Sequence, residues 1–253
     1  MRLKFRKLLI LMLGVMWLLP AAAQDSENIG TLVKITPKKG HGDELIEAIT
    51  DYHEWIADKE GAMRYNWYQV LTGPDTGLYY AWSGGHDWKD FDAEYDWQSD
   101  ASEMMQDKVM PHIQDMDRMM VRTMVDWSNW PEDWDGYTHY HLTDWYVNPG
   151  EGNAFRKGLN KIVSTLKEGG YSEHWGFQSM VSGTRGGHYV LVSPTKGWAG
   201  MSEPETTFYD IMSKELGGEE AYETFMSNWS KTFKSGATMT LEYMPGASDY
   251  GDD

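Results

Sequence analysis

Gly73-Pro74-Asp75-Thr76-Gly77-Leu78-Tyr79-Tyr80-Ala81-Trp82-Ser83, followed by Trp88, returns later as Gly183-Thr184-Arg185-Gly186-Gly187-His188-Tyr189-Val190-Leu191-Val192-Ser193, followed by Trp198. Gly73/Gly183, Gly77/Gly187, Tyr79/Tyr189, Ser83/Ser193 and Trp88/Trp198 all lie 110 positions apart. In each copy a glycine-bracketed turn joins two aromatic-rich runs, which is the composition of a β-hairpin. The runs are Arg64 to Leu71 and Leu78 to Ser83 in the first copy, and His174 to Val181 and His188 to Ser193 in the second. Upstream, Pro37-Lys38-Lys39-Gly40 leads into a helical run as Pro149-Gly150-Glu151-Gly152 does, at a spacing of 112. Two anchors in one order make the chain an internal duplication.

Outward from the hairpins, each copy reads strand, helix, strand, strand, helix, strand. Gly30 to Thr36 opens the first as a β-rich run, and Asp43 to Lys59 places Leu45, Ile46, Ile49, Tyr52, His53 and Ile56 at helical spacing. Trp88 to about Met116 reads as mostly helical, with Pro111 starting or kinking its last part, and Arg118 to Trp127 closes the copy as a strand. In the second, Tyr137 to Val147 is the opening strand and Asn153 to Lys167 the helix. Ser202 to Lys234 is helical but divided at Gly217-Gly218, and Ala237 to Met244 is the last strand. The expected division is 24–127 and 137–246 for the two copies, a linker at 128–136 and an acidic disordered tail at 247–253.

Residues 1–23 read as a secretory leader: Arg2, Lys4, Arg6 and Lys7, an apolar run from Leu8 to Leu19, then Ala21-Ala22-Ala23 as a cleavage site. The apolar run is shorter than the roughly 20 residues of a spanning helix, so the expected product is a soluble exported protein, periplasmic or extracellular, without stable membrane insertion. The chain has no cysteine, which excludes disulfides, thiolate catalysis and thiolate metal sites. Its net charge is −17, from 22 Lys+Arg against 39 Asp+Glu, and becomes more negative once the basic leader is removed. A chain so acidic repels phosphate backbones, which argues against nucleic acid as a partner.

A duplicated βαββαβ unit is the ferredoxin-like plan. The expected fold class is therefore α+β, two tandem ferredoxin-like units whose antiparallel sheets face each other as a pseudo-dimeric α/β barrel. The pairing is open between one chain and two, as is a homo-oligomer. The strand-turn pairs Pro37/Gly40 and Pro149/Gly152 and the aromatic hairpins 64–83 and 174–193 carry this pattern. On these residues the chain resembles the dimeric α/β-barrel superfamily, in particular its NIPSNAP-like and antibiotic-biosynthesis-monooxygenase-like domains. The resemblance implies a small-molecule pocket. It also implies, as alternatives, a cofactor-free or haem-dependent monooxygenase-like enzyme, or an envelope interaction module without catalysis.

His139-Tyr140-His141 is the sharpest local feature, because residues two apart on a strand share a face. With His188 on a neighbouring strand, the two imidazoles could form a metal or haem site or serve as proton carriers. His141 is expected opposite Ile29 of the first copy, so any such site belongs to one half. The second feature is aromatic: Tyr65 with Trp67, Trp175 with Phe177, and Tyr80 with Trp82 each share a strand face. They either line a space between the sheets that takes a flat apolar ligand or fill the core. The acidic run Asp87 to Glu103 lacks the glycine and glutamate positions of a calcium loop and reads as a solvated helix face. Met116, Met119, Met120 and Met124 fit core packing better than soft-metal binding. No Gly-x-Ser-x-Gly, P-loop, dinucleotide fingerprint or His-Glu-x-x-His is present.

Overall fold

The computed structural model describes residues 27–248, so the leader at 1–23 and the acidic end at 249–253 lie outside the described residues. The first half runs β1 (Ile29–Pro37), α1 (Gly42–Ile56), β2 (Asn66–Thr72), β3 (Tyr79–His86), α2 (Gln98–Met104) and β4 (Ile113–Thr123). The second runs β5 (His139–Val147), α3 (Gly152–Glu168), β6 (Gly176–Ser182), β7 (His188–Thr195), α4 (Phe208–Leu216), α5 (Glu219–Ser230) and β8 (Phe233–Tyr243). Between Trp88 and His112 only α2 is a regular helix, extended by a π-helical turn at Met105–Val109 and a 3-10 turn at Met110–His112 that holds Pro111. Strand pairing then begins at Ile113, earlier than the sequence pattern indicates. No helix among the described residues is long and apolar enough to cross a membrane.

The eight strands form one closed antiparallel barrel in the order β1-β3-β2-β8-β5-β7-β6-β4. This corrects the expectation of two tandem ferredoxin-like units forming a pseudo-dimeric barrel from two facing sheets. Among the described residues there is a single continuous sheet, closed on itself, with five α-helices outside it. The physical reason lies at the edges. Taken alone, the first half would have edge strands β2 and β4 and the second β6 and β8, and an unpaired edge leaves a row of backbone donors and acceptors without partners. Pairing β2 with β8, for example Val70 with Leu241, and β6 with β4, for example Val121 with Met180, removes all four edges at once. Both seams lie within this one chain.

Two further contacts interlock the halves. The turn Val125–Trp127 at the end of the first half packs on the second, where Ser128 Oγ accepts a hydrogen bond from Phe177 N at 3.0 Å. Its counterpart Pro245–Ala247 packs on α1, and Ser248 Oγ accepts from Trp67 N at 2.9 Å. The hairpin glycines act in the same way. A Cβ on Gly73 would lie 2.6 Å from the Thr238 carbonyl oxygen of β8, and one on Gly183 would lie 2.6 Å from the Arg118 carbonyl oxygen of β4. Both also hold positive φ, 93° and 85°, which other residues rarely adopt. The repeated glycines are therefore needed where each hairpin touches the other half.

Strand alternation separates two kinds of core. Leu32, Val70, Tyr80, Val121, Leu142, Met180, Val190 and Met239 form one cluster, with one residue from each of the eight strands, and only the barrel lumen touches all eight. Outside the barrel, α1 packs Leu45, Ala48 and Ile49 on Val33, Ile35 and Trp67. On the opposite side α3 packs Phe155, Leu159, Ile162 and Leu166 on Trp175 and Phe177, joined by Ile211 and Met212 of α4 and Trp229 of α5. Helix α4 starts at a capping box between Thr207 and Asp210 and stops at Gly217, whose φ of 95° ends the helix.

Candidate functional site

Because neighbouring strands run antiparallel all round the barrel, β1, β2, β5 and β6 point the same way. Both hairpin turns therefore lie at one mouth. There the lumen holds a chain of polar groups. Lys34 Nζ lies 2.7 Å from Asp75 Oδ1, and Tyr80 Oη donates to Asp75 Oδ2 at 2.7 Å. Burial, and then the bond to Asp75, push the Tyr80 hydroxyl well above the ordinary tyrosine pKa. His188 Nε2 lies 2.8 Å from Asp144 Oδ1, its ring stacks on Tyr146 at 4.4 Å, and the Arg185 guanidinium covers the other aromatic contact at 3.6 Å from the Tyr146 ring centre.

The three histidines singled out in the sequence do not converge. Leu142 and Val190 face the lumen, so by alternation Asp144 and His188 face inward, whereas His139 and His141 face outward. The barrel wall stands between them. His139 is buried against the edge of Trp198, with ring centres 5.0 Å apart, and its Nδ1 lies 3.0 Å from Thr138 Oγ1. By strand register His139, rather than His141, stands where the first half has Ile29: Thr31 pairs with Ser83 as His141 pairs with Ser193. Among the described residues no group of three or more metal-ligating side chains gathers.

The aromatic residues also separate. Tyr65 and Trp67 lie under α1, and Trp175 and Phe177 under α3, all outside the barrel; only Tyr80 and Trp82 face the lumen. They do not together line one space between sheets.

A cavity of about 480 Å³ lies outside the barrel on the second half. Its floor is the outer face of the sheet: His141 from β5, Phe177 from β6, Leu191 and Ser193 from β7, with Trp175 just ahead of β6. Leu166 of α3 and the segment Tyr171 to His174 form one side. The segment Gly200 to Pro204, with Phe208 opening α4, forms the other. Three sequence-selected residues, His141, Trp175 and Phe177, thus meet in this cavity, while His139, His188, Tyr65, Trp67, Tyr80 and Trp82 do not line it.

The polar groups of the wall are few. His174 Nδ1 lies 3.1 Å from the Asn129 carbonyl oxygen, which can only accept, so Nδ1 carries the proton and Nε2 is the lone-pair nitrogen of the neutral ring. His141 Nδ1 lies 3.4 Å from Thr240 Oγ1. Burial first, and then the carboxylates of Glu173 and Glu203, hold the Tyr171 hydroxyl above its ordinary pKa. A smaller recess of about 260 Å³ adjoins the cavity across Glu173, His174, Pro194, Thr195 and Gly200, and adds Tyr137, Ser172 and Lys196.

Residues the sequence reading passed over, Tyr171, Glu173, His174 and Phe208, complete the site. The available signal was the pair Gly169-Gly170 that ends α3 and throws the following segment across the sheet. A haem does not suit this wall. Its propionates call for cations, yet no Lys or Arg lines the cavity and Glu173 and Glu203 do.

No protein-family model matches the chain, and no curated protein matches it. Solved structures do. An anthrone oxidase-like protein superposes with a TM-score of 0.53 at 10% identity, covering 86% of this chain and 92% of the other. A monooxygenase candidate from Lactobacillus acidophilus gives 0.53 at 11% identity, covering 86% and 94%. A chlorite dismutase variant from Candidatus Nitrospira defluvii gives 0.51 at 8% identity, covering 87% and 93%. At these identities the likeness is one of fold, and it places the chain beside monooxygenase-like and chlorite-dismutase-like proteins of the dimeric α/β-barrel fold.

Proposed function

We propose that the cavity between α3, α4 and the outer face of β5, β6 and β7 holds one small, flat, largely apolar molecule. The observation that carries this reading is the cavity itself. At about 480 Å³ it falls within the size of small-molecule sites, about 300–1,000 Å³. Its apolar walls include Leu166, Trp175, Phe177, Leu191 and Phe208, with polar groups such as His141, Glu173, His174 and Glu203 set among them. The leader-like residues 1–23 support export as the setting, which N-terminal sequencing of the mature protein tests.

Calorimetric titration with methylnaphthalene, a flat hydrocarbon of suitable size, tests the binding reading. Ser193→Trp fills the floor and is expected to remove binding while the fold still melts cooperatively. Undiminished binding to Ser193→Trp would place the ligand elsewhere.

One observation favours a second reading, oxygen-dependent turnover of the bound molecule. The Asn129 carbonyl at 3.1 Å from His174 Nδ1 assigns the lone pair of the neutral ring to Nε2, the nitrogen a general base uses. In this reading Nε2 takes a proton from an activated CH₂ group of the substrate, and the resulting carbanion reduces O₂. One oxygen atom stays as a ketone, the other leaves as water, and the CH₂ group and one O₂ are consumed together. The fold likeness to an anthrone oxidase-like protein supports this reading. An oxygen electrode with anthrone as substrate tests it, and uptake that persists in His174→Gln would remove His174 from the role.

A further inference from the structure

We infer that the molecule held in this cavity carries a positive charge, so that the ligand class is a flat organic cation such as an aromatic ammonium. This rests on the cavity reading above and adds the charge of its occupant. The two carboxylates of the wall, Glu173 on one side and Glu203 on the facing segment, both act on Tyr171, so their fields overlap in the cavity. No lysine or arginine lines the cavity to balance them. Four aromatic side chains share the wall with them: Tyr171, Trp175, Phe177 and Phe208.

A ring face is electron-rich, and aromatic walls with nearby carboxylates are the arrangement that favours a weakly hydrated organic cation. An anion would meet two like charges and no lysine or arginine. Lys196 lines the adjoining recess, where its Nζ lies over the Tyr137 ring at 5.0 Å. The protein thus already seats one of its own cations on an aromatic face next door. At longer range the chain's net charge of −17 raises the local concentration of any cation near its surface.

The test is a matched series in isothermal titration calorimetry at low salt: N-methylquinolinium as the cation, methylnaphthalene as its neutral isostere, and naphthoate as the anion. The cation is expected to bind about tenfold more tightly than the neutral compound, and naphthoate more weakly than either. In the double variant Glu173→Gln/Glu203→Gln the cation's advantage is expected to vanish while the affinity for methylnaphthalene stays as it was. Raising the salt concentration is expected to narrow the advantage, because Glu203 is exposed and screened. If methylnaphthalene or naphthoate binds as tightly as the cation, the charge inference is overturned and the cavity reading stands. If none of the three binds, the cavity reading itself fails.

Discussion

His188→Ala separates a lumen histidine from a cavity histidine by stability alone. In the folded chain His188 Nε2 meets Asp144 Oδ1 at 2.8 Å, with side-chain exposures of 8% and 16%. A hydrogen bond to a charged partner contributes about 1.5–3 kcal/mol, and its removal leaves the Asp144 carboxylate mostly buried without that neighbour. The stack on Tyr146 is lost as well. The residual exposure of Asp144 lets water recover part of the loss, so the expected destabilisation is about 2–4 kcal/mol. In a domain of this size that lowers Tm by about 5–12 °C. His141→Ala removes a half-buried ring whose nearest polar contact is 3.4 Å away, and is expected to change stability by no more than about 0.5 kcal/mol. Thermal and urea unfolding of His188→Ala, His141→Ala, Asp144→Asn and the His188→Ala/Asp144→Asn pair give both single effects and the coupling, expected at about 1.5–3 kcal/mol. If His188→Ala unfolds with the parent, or His141→Ala falls as far, the assignment of the two rings to opposite sides of the barrel wall is refuted.

Ser128→Ala and Ser248→Ala each remove one bond that ties a turn of one half to the other, at about 1 kcal/mol apiece, and should add in the double variant because the sites are far apart; strongly non-additive urea midpoints would contradict independent latches. Gly158→Ala places a methyl 2.0 Å from Trp229 Cδ1, whose indole N–H donates to the Phe155 carbonyl at 3.0 Å. Despite a helix-propensity gain of about 1 kcal/mol it is expected to destabilise by about 1–3 kcal/mol and to alter the near-ultraviolet circular dichroism, whereas a stabilised variant would show that α3 can shift freely over α5. Burial lowers the His86 pKa below 6.5, only partly offset by Asp90. The unfolded chain therefore takes up this proton first as the pH falls, so this contribution is full above about pH 6.5 and is lost below it. The fall in Tm between about pH 7 and pH 5 is expected to be shallower in His86→Gln, and an unchanged slope would exclude His86 as a source.

The duplication was legible because the turn chemistry repeats at fixed spacing, and glycine is required wherever a turn takes positive φ or lets another strand approach. Gly73 and Gly183 meet both conditions. The helices α1 and α3 were legible because one face of each is buried and apolar periodicity records that directly. The candidate site was legible only in pieces. His141, Trp175 and Phe177 were singled out, but nothing in their spacing distinguishes them from His139, Tyr65 and Trp67, which occupy equivalent strand patterns. Alternation shows that two residues share a face, without showing which face is lumen and which is covered by helix.

By itself the sequence determined the acidic, cysteine-free character of the chain, its repeated glycine-bracketed hairpins, and the order of strands and helices around them. These follow from local chemistry: turn residues, periodicity and charge. Tertiary structure alone decided that the two halves share one sheet, since closure depends on β2 meeting β8 and β4 meeting β6, where paired residues such as Val70 with Leu241 and Val121 with Met180 lie 171 and 59 positions apart. It also decided that the wall of that barrel parts His188 from His139 and His141. The cavity comes from the same level, because its floor, side and rim belong to segments that only the folding of α3 and α4 against the sheet brings together.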